Sequence, residues 1–127
     1  MKFYKLNANS EFPGITEGDG FTSALISATE RIDIRPGETV VLGTGLRMEY
    51  SARMESLTML SPLEHCVVEG FTSMPGEEMT ISISNRGSRN VPVYPGRVIA
   101  YLTAARKMSL RATLRAVEET NNAAVQN

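Results

Sequence analysis

The sequence predicts an all-β domain, a barrel or jelly-roll of short strands. Three observations carry this. Apolar and polar residues alternate along residues 79–84, with Met79, Ile81 and Ile83 against Thr80, Ser82 and Ser84. Pro-Gly pairs at 36–37, 75–76 and 95–96, with Gly-containing turns between them, punctuate the chain. Residues 98–102, VIAYL, form a dense apolar run of strand length that suits burial on both faces.

The elements follow in order. Residues 1–6 alternate Phe3 and Lys5 against Tyr4 and Leu6 and predict a short edge strand. Residues 7–20 are polar, with Pro13-Gly14 and Gly18-Asp19-Gly20, and predict a loop. FTSALISA at 21–28 is compatible with strand or helix, and its strand-like successors favour strand. Arg31-Ile32-Asp33-Ile34 alternates, Pro36-Gly37 turns, and ETVVL at 38–42 is β-rich. Gly43-Thr44-Gly45 lacks the length and the following Lys-Ser of a phosphate-cradling loop, so it predicts a bulge or tight bend. A further strand resumes at 46–50. Met54, Leu57 and Leu60 are spaced by three, which predicts a helical turn or irregular packing over 51–63. From Glu69 to Leu102 the pattern is hairpin, strand, turn, short strand, turn and final strand. Leu110, Leu114 and Val117 then fall at helical spacing within 108–119, so the β core ends in a short C-terminal helix or tail. Arg111 and Arg115 precede Glu118 and Glu119, an order that opposes the helix dipole, so such a helix needs docking.

A chain of 127 residues supports one domain, 1–127, with one core. Hydrophobic content of 42% against 21% charged residues is that of a folding chain. A net charge of −1 supplies no global basic field, which argues against a nucleic-acid partner. The eight aromatics, with no Trp, offer few stacking platforms for single strands. One Cys and one His rule out an internal disulfide and a Cys- or His-rich metal site, and nothing implies a cofactor. No apolar run reaches the ~20 residues of a membrane span, and the first residues do not resemble a signal peptide. The expected location is intracellular, or within a virion.

Several clusters bear on chemistry. Glu64-His65-Cys66 sets acid, imidazole and thiol side by side, but strand neighbours face opposite ways, so a packed Cys66 and a surface His65 are expected. Glu77-Glu78 at a hairpin tip is expected to be solvated rather than cation-binding. Arg86, Arg89 and Arg97, with Arg47 and Arg53, are spread over separate turns and strands and read first as surface charges; convergence on an anion is the alternative, with Arg53, Arg86 and Arg97 as its candidate residues. Met48, Met54, Met59, Met74 and Met79 suit adaptable packing in the core, at a subunit interface or in an apolar pocket.

Two segments together carry a resemblance: IRPGETVVLGTGL at 34–46, and GFTSMPGEEMTISISN with VYPGRVIAYL within 70–102. They resemble the trimeric dUTPase and dCTP deaminase superfamily over about residues 20–103, leaving about 104–127 as helix or tail. The resemblance implies a distorted β jelly-roll assembled as a homotrimer, with nucleotide sites between subunits. It also marks where the chemistry should be, and those positions are changed. Thr22 stands where the first motif has an aspartate. Leu57-Thr58-Met59 stands where an Arg-Ser-Gly run would grip phosphate; leucine cannot neutralise a phosphate, and methionine denies the approach glycine allows. The hairpin Glu69-Gly70-Phe71-Thr72-Ser73-Met74 lacks the aspartate that activates water. Ser82 replaces the glutamate that is the deaminases' general acid and base, and without a neighbouring base it cannot take that role. The Gly-rich C-terminal arm of the dUTPases is missing.

No catalytic and no metal-ligating residue is therefore assigned, and the chain is expected not to be an enzyme. Gly70, Phe71, Thr72, Ser73, Met74 and Ser82 are the candidate ligand-binding residues. The expected function is a catalytically inactive, dUTPase-like homotrimer used in assembly, for instance as a phage structural or decoration protein. The alternative is a nucleotide-sequestering protein that keeps the inter-subunit pocket without hydrolysis. An active dUTP diphosphatase or dCTP deaminase is the third reading.

Overall fold

The computed structural model describes residues 1–8 and 10–107. They form eleven strands: β1 Lys2–Lys5, β2 Gly14–Gly18, β3 Phe21–Ser27, β4 Ile32–Ile34, β5 Thr39–Gly43, β6 Leu46–Glu49, β7 Glu55–Leu60, β8 Cys66–Thr72, β9 Thr80–Asn85, β10 Val91–Val93 and β11 Val98–Arg106. No helix occurs among the described residues, and the predicted helix at 108–119 lies outside them.

All pairings are antiparallel. A four-stranded sheet has the order β2-β3-β11-β7 and a three-stranded sheet the order β5-β9-β8. Two strand pairs, β1-β6 and β10-β4, complete the walls. One hydrophobic cluster joins all four, with Ile26 and Leu102 from the first sheet, Ile81 and Ile83 from the second, and Leu46, Ile34 and Val93 from the pairs. The alternation read at 79–84 is what fills it: Met79, Ile81 and Ile83 are each 0% exposed. Burying one such side chain stabilises the fold by about 1.5–3 kcal/mol.

The run at 98–102 is buried at Ile99, Ala100 and Leu102, while Tyr101 points outward. A register shift between Val98 and Ala100 turns consecutive residues inward, so the strand breaks strict alternation without being covered on both faces. Gly43-Thr44-Gly45 is the expected bend. Gly45 adopts φ +66, and the buried Thr44 hydroxyl donates to the Met79 carbonyl at 2.7 Å. Phe21–Ser27 is a strand, and Lys2–Lys5 is an edge strand on β6, both as read.

Two expectations are corrected. Residues 14–18, read as loop, form β2, an edge strand exposed along its whole length. It buries no face and so leaves no hydrophobic period; its backbone pairing with β3 holds it. The signal was the Asp19-Gly20 pair, a two-residue hairpin turn with Gly20 at φ +79. The helical turn suggested by Met54, Leu57 and Leu60 is instead β7. There Leu57 and Met59 face the core at a period of two, and Leu60 points outward. The spacing of three was coincidental, because Met54 and Leu60 share no buried face.

Candidate functional site

The hairpin of β8 and β9 sets the candidate ligand-binding residues in register. Gly70 pairs with Ser82, Phe71 with Ile81 and Thr72 with Thr80, after a register shift between Val68 and Gly70. On the other side of β9, Val41 pairs with Ser82. Val41, Ser82 and Gly70 therefore form one row across the outer face of the sheet. The flanking rows are Gly43, Thr80 and Thr72, and Thr39, Ser84 and Val67.

This face carries hydroxyls. Thr72 and Thr80 share a hydrogen bond of 2.7 Å between their hydroxyls, as do Thr39 and Ser84. Ser82 lies half-buried between them. A Cβ on Gly70 would meet nothing within 4 Å, so the space above it is open. Phe71 points the other way and packs against the core. The Ser73 hydroxyl donates to the Met48 carbonyl at 3.4 Å and ties the hairpin to β6. Met74 is exposed at the Pro75-Gly76 turn, where Glu77 N donates to the Met74 carbonyl at 3.0 Å and Gly76 takes φ +80.

The charges beside this face are already engaged. Arg86 donates to the Glu69 carboxylate. That bond first, then one from Ser84, holds the Glu69 carboxyl below the usual range. Glu78 accepts from Gly45 N at 2.9 Å, so the hairpin-tip acid expected to be solvated instead braces the β5–β6 bend. Arg97 donates to the Pro92 carbonyl, and Arg53 lies exposed between β6 and β7. Arg53, Arg86 and Arg97 thus sit on three different connections and share no partner. Cys66 is half-buried and His65 is exposed, the division expected. Burial pushes the Cys66 thiol up, and Arg97 partly opposes this.

The positions singled out by the sequence resemblance are also placed. Leu57 and Met59 turn into the core, with Thr58 on the outer side of β7. Thr22 lies on β3 between Glu17 and Ala104 and lines a 460 Å³ cavity with Phe21, Glu55 and Arg106. Among the described residues no group of three or more His, Cys, Asp or Glu is placed to hold a metal ion. Asn85, which carried no functional reading, is fully buried at the end of β9 and shapes the loop after it. Its signal was a polar residue ending a strand with Gly two positions on.

Comparison with solved structures bears on the whole arrangement. The dUTPase from phage phi11 of S. aureus aligns with a TM-score of 0.68 at 14% identity, covering 85% of this chain and 91% of that one. The Staphylococcus bacteriophage 80alpha dUTPase aligns at 0.69 and 15% identity, over 85% and 90% of the two chains. This chain has the dUTPase-like fold. The same phage enzyme with dUPNHPP aligns equally well, at 0.69 and 15% identity, covering 85% and 83%. At such identities the likeness is one of fold. No protein-family model matches the sequence, and no curated protein matches it. No helix among the described residues is long and apolar enough to cross a membrane.

Proposed function

We propose that this chain is a dUTPase-fold protein without nucleotidohydrolase activity that works as a homotrimeric component of a larger assembly, such as a phage particle. One observation carries the reading. The strand that replaces the phosphate-gripping run, Leu57-Thr58-Met59, directs Leu57 and Met59 into the core. A phosphate cannot be held by side chains already used for packing. The row Val41, Ser82 and Gly70 agrees, since it holds no titratable group, and the nearby Glu69 carboxylate is occupied by Arg86 and Ser84. Self-association is supported by a second row, across the four-stranded sheet. Leu25, Tyr101 and Leu60 lie side by side there at 41%, 43% and 66% exposure.

The tests are direct. The purified chain should release neither pyrophosphate nor ammonia from dUTP or dCTP above background; turnover of either would overturn the reading. Sedimentation should give a trimer, and Leu60→Glu should shift it toward monomer without unfolding the subunit. A monomeric wild-type chain would remove the inter-subunit argument.

The second reading, nucleotide binding without cleavage, is favoured by the open space above Gly70. Backbone groups of a hairpin still recognise a base after its side chains change. A nucleotide at 100 times its dissociation constant should stabilise the fold by about 2.7 kcal/mol. Absence of any thermal shift with mono-, di- or triphosphates would leave the assembly reading alone.

A further inference from the structure

A separate concavity of 420 Å³ lies over the loop that joins β9 to β10. It involves none of the residues of the Gly70–Ser82 face. Its lining includes Glu64, His65, Asn85, Ser88, Arg89 and Asn90. We propose that it is a binding site for a phosphate group, carried by a small molecule and held chiefly by Arg89.

The loop is built rather than slack. Asn85, fully buried, accepts from Gly87 N at 2.9 Å and donates to the Arg89 carbonyl at 2.7 Å and to the Ile34 carbonyl at 2.8 Å. These bonds fix the backbone that presents Ser88, Arg89 and Asn90. The lining also takes in His65, the one non-glycine residue with positive φ among those described, at φ 57. That conformation is uncommon for a side-chain-bearing residue and persists only where the surroundings impose it. Two features impose it here. Arg86 N donates to the His65 carbonyl at 2.8 Å. Gly87 leaves room that a Cβ would take, since one would stand 2.9 Å from the His65 Cβ.

The chemistry selects the ligand. Arg86 is engaged by Glu69 and Arg97 by the Pro92 carbonyl, but Arg89 has no ion-pair partner among the described residues. A guanidinium fork, an imidazole N–H, a hydroxyl and an amide lining one cavity match the oxygens of a phosphate. Glu64 opposes this; its carboxylate stands 3.4 Å from His65 Nε2 and competes for that donor. The site therefore suits a modest affinity, and removing the Glu64 charge should raise it.

The test is a titration of the isotopically labelled full chain, followed by amide chemical shifts. Inorganic phosphate is one arm, a nucleoside monophosphate the second, and sodium chloride at matched ionic strength the control. Both phosphate arms should move the amides of His65, Ser88, Arg89 and Asn90, and chloride should not. Equal affinities mean the phosphate group alone is read; tighter nucleotide binding means its base adds contacts; either supports the site. Arg89→Ala should weaken binding about ten-fold or more, and Arg89→Lys less. Glu64→Gln should tighten it several-fold. The native shift dispersion of each variant reports that it folds. The proposal fails if neither phosphate arm moves these amides by about 10 mM, or if binding is unchanged in a folded Arg89→Ala chain.

Discussion

Replacing Asn85 by alanine is expected to be among the most damaging single changes outside the apolar core. The side chain is 0% exposed and makes three hydrogen bonds. Truncation takes one bond from the buried Ile34 carbonyl, which keeps its place in the β4–β10 pairing, at about 0.5–1.5 kcal/mol. The Arg89 carbonyl and Gly87 N are part-buried and regain some water, so each loss is about 0.5–1.5 kcal/mol. The sum is about 1.5–4.5 kcal/mol, centred near 3, against a typical domain stability of about 5–15 kcal/mol. Urea unfolding at fixed chain concentration is the assay, because the stability of any chain that self-associates depends on its concentration. The midpoint should fall with the slope unchanged. Asn85→Asp separates the roles. It keeps an acceptor for Gly87 N but turns a buried carboxylate toward two carbonyls, so it should cost at least as much as alanine. A loss under about 1 kcal/mol for Asn85→Ala would refute the reasoning, as would an aspartate variant more stable than the alanine one.

Three other outcomes are expected. Gly45→Ala should destabilise by about 2–4 kcal/mol, since a non-glycine residue at φ +66 is strained and its Cβ would fall 2.3 Å from the Ser10 hydroxyl oxygen, displacing that group's 2.7 Å bond to the Gly45 carbonyl; thermal unfolding measures it. Glu69 should titrate below the ordinary carboxylate range in a carboxyl-detected NMR titration, and Arg86→Gln should move it back up. Its folded pKa lies below the unfolded one, so any stability it contributes is present above the unfolded pKa and lost as pH falls through the folded value. Cys66 should react with iodoacetamide more slowly than a free thiol at mildly alkaline pH, because burial disfavours the thiolate; Arg97→Gln should slow it further, and an unchanged rate would remove Arg97 from the local field.

Most of the strand order was legible because a strand with one buried face writes its period into the residues. Residues 79–84 show this, and so does the β-rich run of β5, whose Val40 and Leu42 are buried while Val41 faces out. Where a strand buries nothing, the period disappears, and β2 was read as loop for that reason. Where one exposed methionine and one exposed leucine mimic helical spacing, as Met54 and Leu60 do around β7, sequence spacing misleads. The candidate site was legible in part. The match of Gly70 to Ser82 follows from hairpin pairing, but Glu78 bracing Gly45 does not, since their contact spans 33 positions.

The sequence by itself determined the all-β class and the turns between the strands. Those are properties of residue identity and short-range period, and they need no neighbour to be read. Only the tertiary structure decided, among Arg86, Arg89 and Arg97, which side chains are already engaged and which is not. Arg86 and Arg97 looked equivalent to Arg89 along the chain. Folding brings Glu69 to Arg86 and the Pro92 carbonyl to Arg97, and it sets Arg89 beside His65 across a loop nailed down by Asn85. The physical reason is that an ion pair or a cavity is a fact about distance, and distance between separate strands and loops is set by packing.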